Sequence, residues 1–320
     1  MLTPAPFHSD LAEGPADSRA WWITSEDGLR LRIGHYPVDG TARGTVLLFP
    51  GRTEYIEKYG RTAAALAAAG YHTLAIDWRG QGMAERMLDD PRTGHVHVFD
   101  DYQTDVAAIL HTAAELGLPQ PMHLIAHSMG GCIGLHAVME GLPVASCVFT
   151  GPMWGIRIAD PLRPAAWALS WGSKRVGLSH HYAPGTGIDS YVASAPFEGN
   201  LLTTDPDMWD YMRRQVLAQP ELQLGGPSLG WLHEALRETR MLARRPSPTL
   251  PCLCFTGTNE RIVDVSRIRE RMAHWPGGKL VMVDEGEHEV LMEGEERREH
   301  LHAQIISLFE GASARHALIA

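Results

Sequence analysis

The chain has 320 residues, enough for one large domain or a domain carrying an insertion. Hydrophobic residues make up 44% and charged residues 21%, an ordinary globular balance. The formal net charge of -10 argues against nucleic acid as a partner and leaves room for no more than transient contact with an anionic membrane surface. No apolar run approaches the roughly 18 residues of a membrane span, and the first residues lack the basic start and apolar centre of a secretory signal. The four cysteines, Cys132, Cys147, Cys252 and Cys254, all lie in apolar stretches without metal-type pair spacing. Buried free thiols are expected, which fits a cytoplasmic location.

Residues 1–18 read as a flexible N-terminal arm. Trp21 to Thr24 and Leu29 to His35 flank Glu26-Asp27-Gly28 and predict a hairpin. Thr45 to Phe49 is a continuous apolar run, the pattern of a central strand. It ends in Pro50-Gly51-Arg52-Thr53-Glu54, followed by an amphipathic helix from Ile56 to Ala69. His72 to Asp77 is the next strand. Trp78-Arg79-Gly80-Gln81-Gly82 lacks the third glycine of a dinucleotide-binding turn. Tyr102 to Leu116 has helical periodicity, Met122 to Ala126 reads as a buried strand, and Ala145 to Thr150 as another. Strands alternating with helices imply an α/β fold with a mostly parallel sheet covered on both faces.

Between Pro152 and Pro248 the rhythm changes. Helical runs near 164–173, 206–219 and 229–244 are separated by Pro and Gly, and no strand–helix alternation is visible. This stretch carries Trp154, Trp167, Trp171, Trp209 and Trp231, five of the nine tryptophans. It reads as a helical cap (152–248) inserted into a core of 19–151 and 249–320. Most of its aromatics are expected in the cap's own core, with one or two facing a ligand. Alternation resumes with strands at Leu250 to Thr256 and Lys279 to Val283, and with helices at Val265 to His274 and Glu295 to Phe309.

The chemistry centres on Ala126-His127-Ser128-Met129-Gly130, where a strand turns sharply into a helix. Small neighbours permit a strained turn that lifts the Ser128 hydroxyl clear of the sheet. Ser128 is therefore the expected nucleophile. Its base should follow a late strand, which selects His288 from the 17 histidines. His127 is expected to be structural. The acid should follow the strand ending at Thr256. Glu260 is the first choice by its place in the turn, and Asp264 remains the alternative unless it caps the next helix. An oxyanion needs preorganised donors. These are expected from the backbone N–H groups of Met129 and Arg52, while the Arg52 side chain is expected in a local ion cluster with Glu54, Glu57 and Lys58. His95/His97 and His180/His181 have short metal-like spacing but no partners, so loop histidines are expected there. No metal or cofactor is expected.

The segments FPGRTEYIEKY, AIDWRGQGMAER, LIAHSMGGCIG, FTGTNERIVD and EGEHEVLME together resemble the α/β-hydrolases. Within them they are most similar to lysophospholipase- and monoacylglycerol-lipase-like serine hydrolases. The resemblance runs from about Trp21 to Leu308. It implies an α/β-hydrolase fold, with Ser128, Glu260 and His288 as triad and Arg52 and Met129 as oxyanion hole. It also implies hydrolysis of carboxylic esters of small acyl or monoacyl lipid substrates through an acyl-enzyme. Three positions depart from the family pattern: Pro50 for His, Ala126 for Gly, and Glu260 for Asp. The other readings are a non-catalytic ligand-binding protein of the same fold, or a related amide or C–C bond hydrolase.

Overall fold

A computed structural model describes residues 2–317. The N-terminal segment is not the loose arm its polar composition suggests. Strand β1 (Thr3–Ala5) pairs antiparallel with β2 (Arg19–Thr24), and a single turn of helix, α1 (Ser9–Ala12), follows β1. Ala12 is fully buried, and its carbonyl accepts from Tyr211 Oη at 2.6 Å. That carbonyl sits where a Cβ on Gly60 would be only 1.8 Å away, so glycine at 60 is what lets the segment dock. The anchors are backbone groups and a missing side chain, which hydropathy patterning does not register.

β2 and β3 (Arg30–Tyr36) form the expected hairpin, with Gly28 in the turn at φ 89°. β4 (Gly44–Phe49) is buried at every residue. The helix expected over 56–69 divides into a 3-10 turn at Ile56–Tyr59 and α2 (Gly60–Ala68). Tyr36 Oη donates to the Ile56 carbonyl at 2.6 Å, drawing it toward the sheet at the start of the turn. The chain continues through β5 (Tyr71–Asp77), α3 (Asp101–Glu115), β6 (Met122–His127), α4 (Ser128–Met139) and β7 (Cys147–Thr150).

Residues 152–248 add no strand to the sheet. They form α5 (Arg163–Arg175), α6 (Tyr191–Ser194), α7 (Pro206–Ala218) and α8 (Leu229–Leu242). α7 starts as its sequence predicts: Pro206 opens it and Asp205 Oδ1 accepts from the Met208 N–H at 2.8 Å. Ser228 caps α8 through the Trp231 N–H at 3.0 Å. The chain then returns to the sheet through β8 (Cys252–Gly257), α9 (Val265–Ala273), β9 (Lys279–Val283) and α10 (Glu295–Ala317).

The nine strands lie in the order β1-β2-β3-β5-β4-β6-β7-β8-β9. Pairing is antiparallel from β1 to β5 and parallel from β5 through β9. Alternate residues feed opposite faces. Leu47, Phe49, Leu124 and Ala126 pack on one side with Ile109 of α3 and Ile133 of α4. Val46, Ile125, Val148 and Phe255 pack on the other with Leu301, Ile305 and Phe309 of α10. Each of the larger side chains contributes about 1.5–3 kcal/mol by leaving water. This two-sided core fixes the carboxyl ends of β4, β6, β8 and β9, where the turns of interest begin. All four cysteines are free and buried. Among the described residues, no helix is long and apolar enough to cross a membrane.

Candidate active site

β6 ends at His127 and α4 begins at Ser128, so the turn has no loop residues. Ser128 adopts φ 50°, a left-handed conformation costing about 1–3 kcal/mol for a residue with a Cβ. The neighbours tolerate nothing larger than glycine where the helix meets the sheet. A Cβ on Gly130 would lie 2.2 Å from the Phe49 carbonyl oxygen. Ala126 fits beside the turn because Gly134 faces it: a Cβ on Gly134 would stand 3.1 Å from the Ala126 methyl.

Three distant turns meet at this point. Ser128 Oγ lies 2.9 Å from His288 Nε2, and His288 Nδ1 donates to Glu260 Oε2 at 2.6 Å. Glu260 Oε1 accepts from the N–H groups of Ile262 at 2.7 Å and Val263 at 3.1 Å, so the carboxylate is held at both oxygens. Burial alone would raise the Glu260 carboxyl, but the imidazole and these N–H groups outweigh it and keep the pKa below the usual value. Burial likewise pulls His288 down, while the charge and hydrogen bond of Glu260 prevail and raise it. The His288 N–H is tied to the Leu201 carbonyl at 3.3 Å and the Glu289 N–H to that of Leu202 at 2.8 Å. Residues 201 and 202 thus hold the turn that carries the imidazole.

Asp264 is elsewhere. It is the N-cap of α9, its Oδ1 accepting from Ser266 N at 3.0 Å, and its other oxygen is 3.7 Å from Arg163. His127 serves the frame: its Nδ1 donates to the Thr150 carbonyl at 2.8 Å, and burial pushes its pKa down to about 3.

The loop after β4 is braced from three directions. Trp78 Nε1 donates to the Pro50 carbonyl at 2.9 Å, and Gln81 Nε2 to the Gly51 carbonyl at 2.8 Å. The Gly51 N–H donates to Glu54 Oε2. Thr53, β-branched, is held at φ 68°. Arg52 and Met129 both line the cavity that Ser128 and His288 face. The Met129 N–H is in the first turn of α4, where no intrahelical acceptor exists.

The Arg52 side chain departs from expectation. It does not join Glu54, Glu57 and Lys58. Glu57 instead pairs with Arg32 at 2.7 Å, and Arg52 Nη1 donates to the Gly225 carbonyl at 2.8 Å, with its guanidinium 5.7 Å from the Trp231 ring. Lys58 lies between Glu54 Oε1, at 2.6 Å, and Glu289 Oε2. Tyr59 Oη donates to Glu54 at 2.5 Å. Burial opposes charge on Glu54, yet Lys58, His127 and Tyr59 lower its pKa to about 2; burial and the charge of Glu54 raise Glu289. The sequence signalled the Glu54–Lys58 pair by its spacing of four, whereas Glu289 carries no such signal.

The cavity holds about 300 Å³, and half of its lining residues come from 152–248. Of the five tryptophans in that segment, Trp231 lines it, while Trp154 and Trp209 are buried elsewhere and Trp171 is half exposed. Among the described residues, two groups have metal-ligand spacing: Glu54–His127–Glu289 and Asp100–His136–Glu238. In the first, the Lys58 ammonium already bonds both carboxylates. His95 bonds Ser228 Oγ at 2.7 Å and His180 packs on His181, so neither histidine pair belongs to such a group.

A family model described as serine aminopeptidase, S33, matches residues 40–295. Lysophospholipase L2 of Escherichia coli (strain K12) is 32% identical over 298 residues, 90% of this chain and 86% of that protein. The monoglyceride lipase of Saccharomyces cerevisiae is 31% identical over 133 residues, 40% of this chain and 42% of its own. A solved structure of a soluble variant of the monoglyceride lipase from Saccharomyces cerevisiae, in complex with a substrate analog, superposes with TM-score 0.71 at 18% identity. That match covers 91% of this chain and 94% of the other.

Proposed function

The chain belongs to the serine aminopeptidase S33 family of α/β-hydrolases, and from that premise we propose that it cleaves carboxylic esters of monoacyl lipids through an acyl-enzyme on Ser128. The single observation carrying this reading is the continuous chain of contacts from Ser128 Oγ through His288 to Glu260. Ser128 Oγ attacks the ester carbonyl while His288 Nε2 takes its proton. The Arg52 and Met129 N–H groups receive the oxyanion, each such donor being worth about 100- to 1,000-fold in rate. The imidazolium then protonates the departing alcohol. Water, deprotonated by the same imidazole, releases the fatty acid. Glu260 holds the imidazole tautomer and stabilises its charged form.

Residues 152–248 act as a cap that shapes the acyl site with Ile156, Val192, Met212 and Trp231. Ester cleavage is favoured over removal of an N-terminal amino acid by one feature of the cavity. Binding a substrate ammonium calls for a free carboxylate, and both cavity carboxylates, Glu54 and Glu289, already hold Lys58. The E. coli relative's name and that of the yeast relative place lysophospholipid and monoacylglycerol among the substrates to test. The test is a chain-length series of p-nitrophenyl esters, with aminoacyl p-nitroanilides alongside, on the wild type and Ser128→Ala. Ester turnover by the wild type alone, with anilides untouched, is expected. Silence toward every ester, or turnover retained by Ser128→Ala, would overturn the reading.

A further inference from the structure

Arg52, the proposed backbone donor to the oxyanion, also sends its side chain toward residues 225–231. The side chain is unlike the two most deeply buried arginines. Arg32 bonds Glu57 and Asp77, and Arg79 bonds Asp27 and Asp105. Both are raised by those partners. Arg271 lacks a carboxylate partner too, but its guanidinium is occupied by the carbonyls of Leu242, the last residue of α8, and Arg245 just after it. Arg52, half-buried at the cavity wall, makes one hydrogen bond, to the Gly225 carbonyl. Burial lowers its pKa to about 10, opposed only by Tyr102. It remains charged at neutral pH.

A guanidinium carries five N–H donors in a planar fork matched to phosphate oxygens. Here one donor is fixed by Gly225, and the Trp231 ring at 5.7 Å limits the plane's freedom. Gly94 lets Nη1 pack close against this wall, since a Cβ there would meet it at 3.3 Å. Lys58, the other basic side chain lining the cavity besides His288, is already neutralised between Glu54 and Glu289. The cavity thus presents one positive charge without a counter-ion, a side chain's length from the oxyanion position. In a lysophospholipid, a glycerol linker separates the acyl ester from its phosphate in the same sense.

We propose that the Arg52 side chain recognises the phosphate of a lysophospholipid and sets preference for it over a neutral monoacylglycerol. This rests on the ester-hydrolase reading above. The test compares kcat/KM on palmitoyl lysophosphatidylcholine and monopalmitoylglycerol, for wild type, Arg52→Gln and Arg52→Lys. Charge-assisted hydrogen bonds of this kind predict that Arg52→Gln lowers the lysophospholipid-to-monoacylglycerol ratio about ten- to hundredfold, mostly through KM. Arg52→Lys should recover part of it. An equal fall on both substrates would mean the side chain only supports the loop and would overturn the proposal, as would an unchanged ratio.

A second measurement needs no variant. An alkyl-ether lysophosphatidylcholine should inhibit wild-type hydrolysis of a short p-nitrophenyl ester at lower concentration than the matching alkyl-ether glycerol. Equal inhibition would contradict phosphate recognition. If the wild type turns over no ester at all, the hydrolase reading itself fails; if it turns over both lipids and the ratio ignores Arg52, only this inference does.

Discussion

Of the ten large apolar side chains exposed on the described surface, nine lie within residues 152–248, whereas every residue of β4, β6, β7 and β8 is buried. The sheet is packed from both faces and holds its turns rigidly. The intervening segment is packed less evenly; α5 buries only Ser170 and Ser173, while Leu169 and Trp171 stand out in solvent. Reacting groups placed within tenths of an ångström belong on the first kind of scaffold. A surface that sorts substrates tolerates the second. Changes at the sheet's edge should therefore cost turnover or stability outright, and changes in the segment above it should redistribute turnover among substrates.

The largest effect is expected from the acid. Glu260→Gln removes the charge that orients His288, and turnover should fall about 1,000- to 10,000-fold. Asp264→Asn should change turnover far less, because Asp264 only caps α9. The reverse ranking would reassign the acid. The same variant has a pH signature. His288 acts as a base only when neutral, so wild-type kcat/KM drops as pH falls through its raised pKa. Without the Glu260 charge, burial governs, the pKa falls, and the acid limb of the profile should move to lower pH.

Next is stability. Arg32→Ala strands Glu57 and Asp77, both fully buried, and should cost about 3–5 kcal/mol in urea denaturation. A loss below about 1 kcal/mol would show that the sheet's edge is less tightly determined than its packing suggests. The smallest effect should come from the segment above. Val192→Trp narrows the acyl cavity, and kcat/KM on long-chain esters should drop about tenfold, with short-chain esters changing less. Uniform loss at every chain length would erase the distinction between the two regions.

The same contrast explains what could be read from sequence. The apolar runs at 45–49 and 122–126 and the zero-length turn at Ser128 announced themselves because buried parallel strands and a strained nucleophile demand particular residue types at particular spacings. His288 followed from its place after the last strand. Glu260 was favoured by its place in the turn, but Asp264 stayed open because a carboxylate just before a helix can either serve the site or cap that helix, and only the structure shows that it caps α9. The docking of residues 3–12 was illegible: it depends on Gly60 lacking a Cβ and on backbone pairing with β2. The destination of Arg52 was illegible for another reason. Its acceptor lies 173 residues away in an irregular stretch, and nothing local distinguishes that choice from the nearby acids.

In the proposed mechanism one hydroxyl, made reactive by two side chains from distant turns, forms the covalent intermediate. The most direct test is labelling with a fluorophosphonate, read by intact mass and peptide mapping. A single adduct on Ser128 in the wild type, and none in a folded Ser128→Ala variant, is the predicted result. An adduct on any other residue, or undiminished labelling of Ser128→Ala, would contradict it.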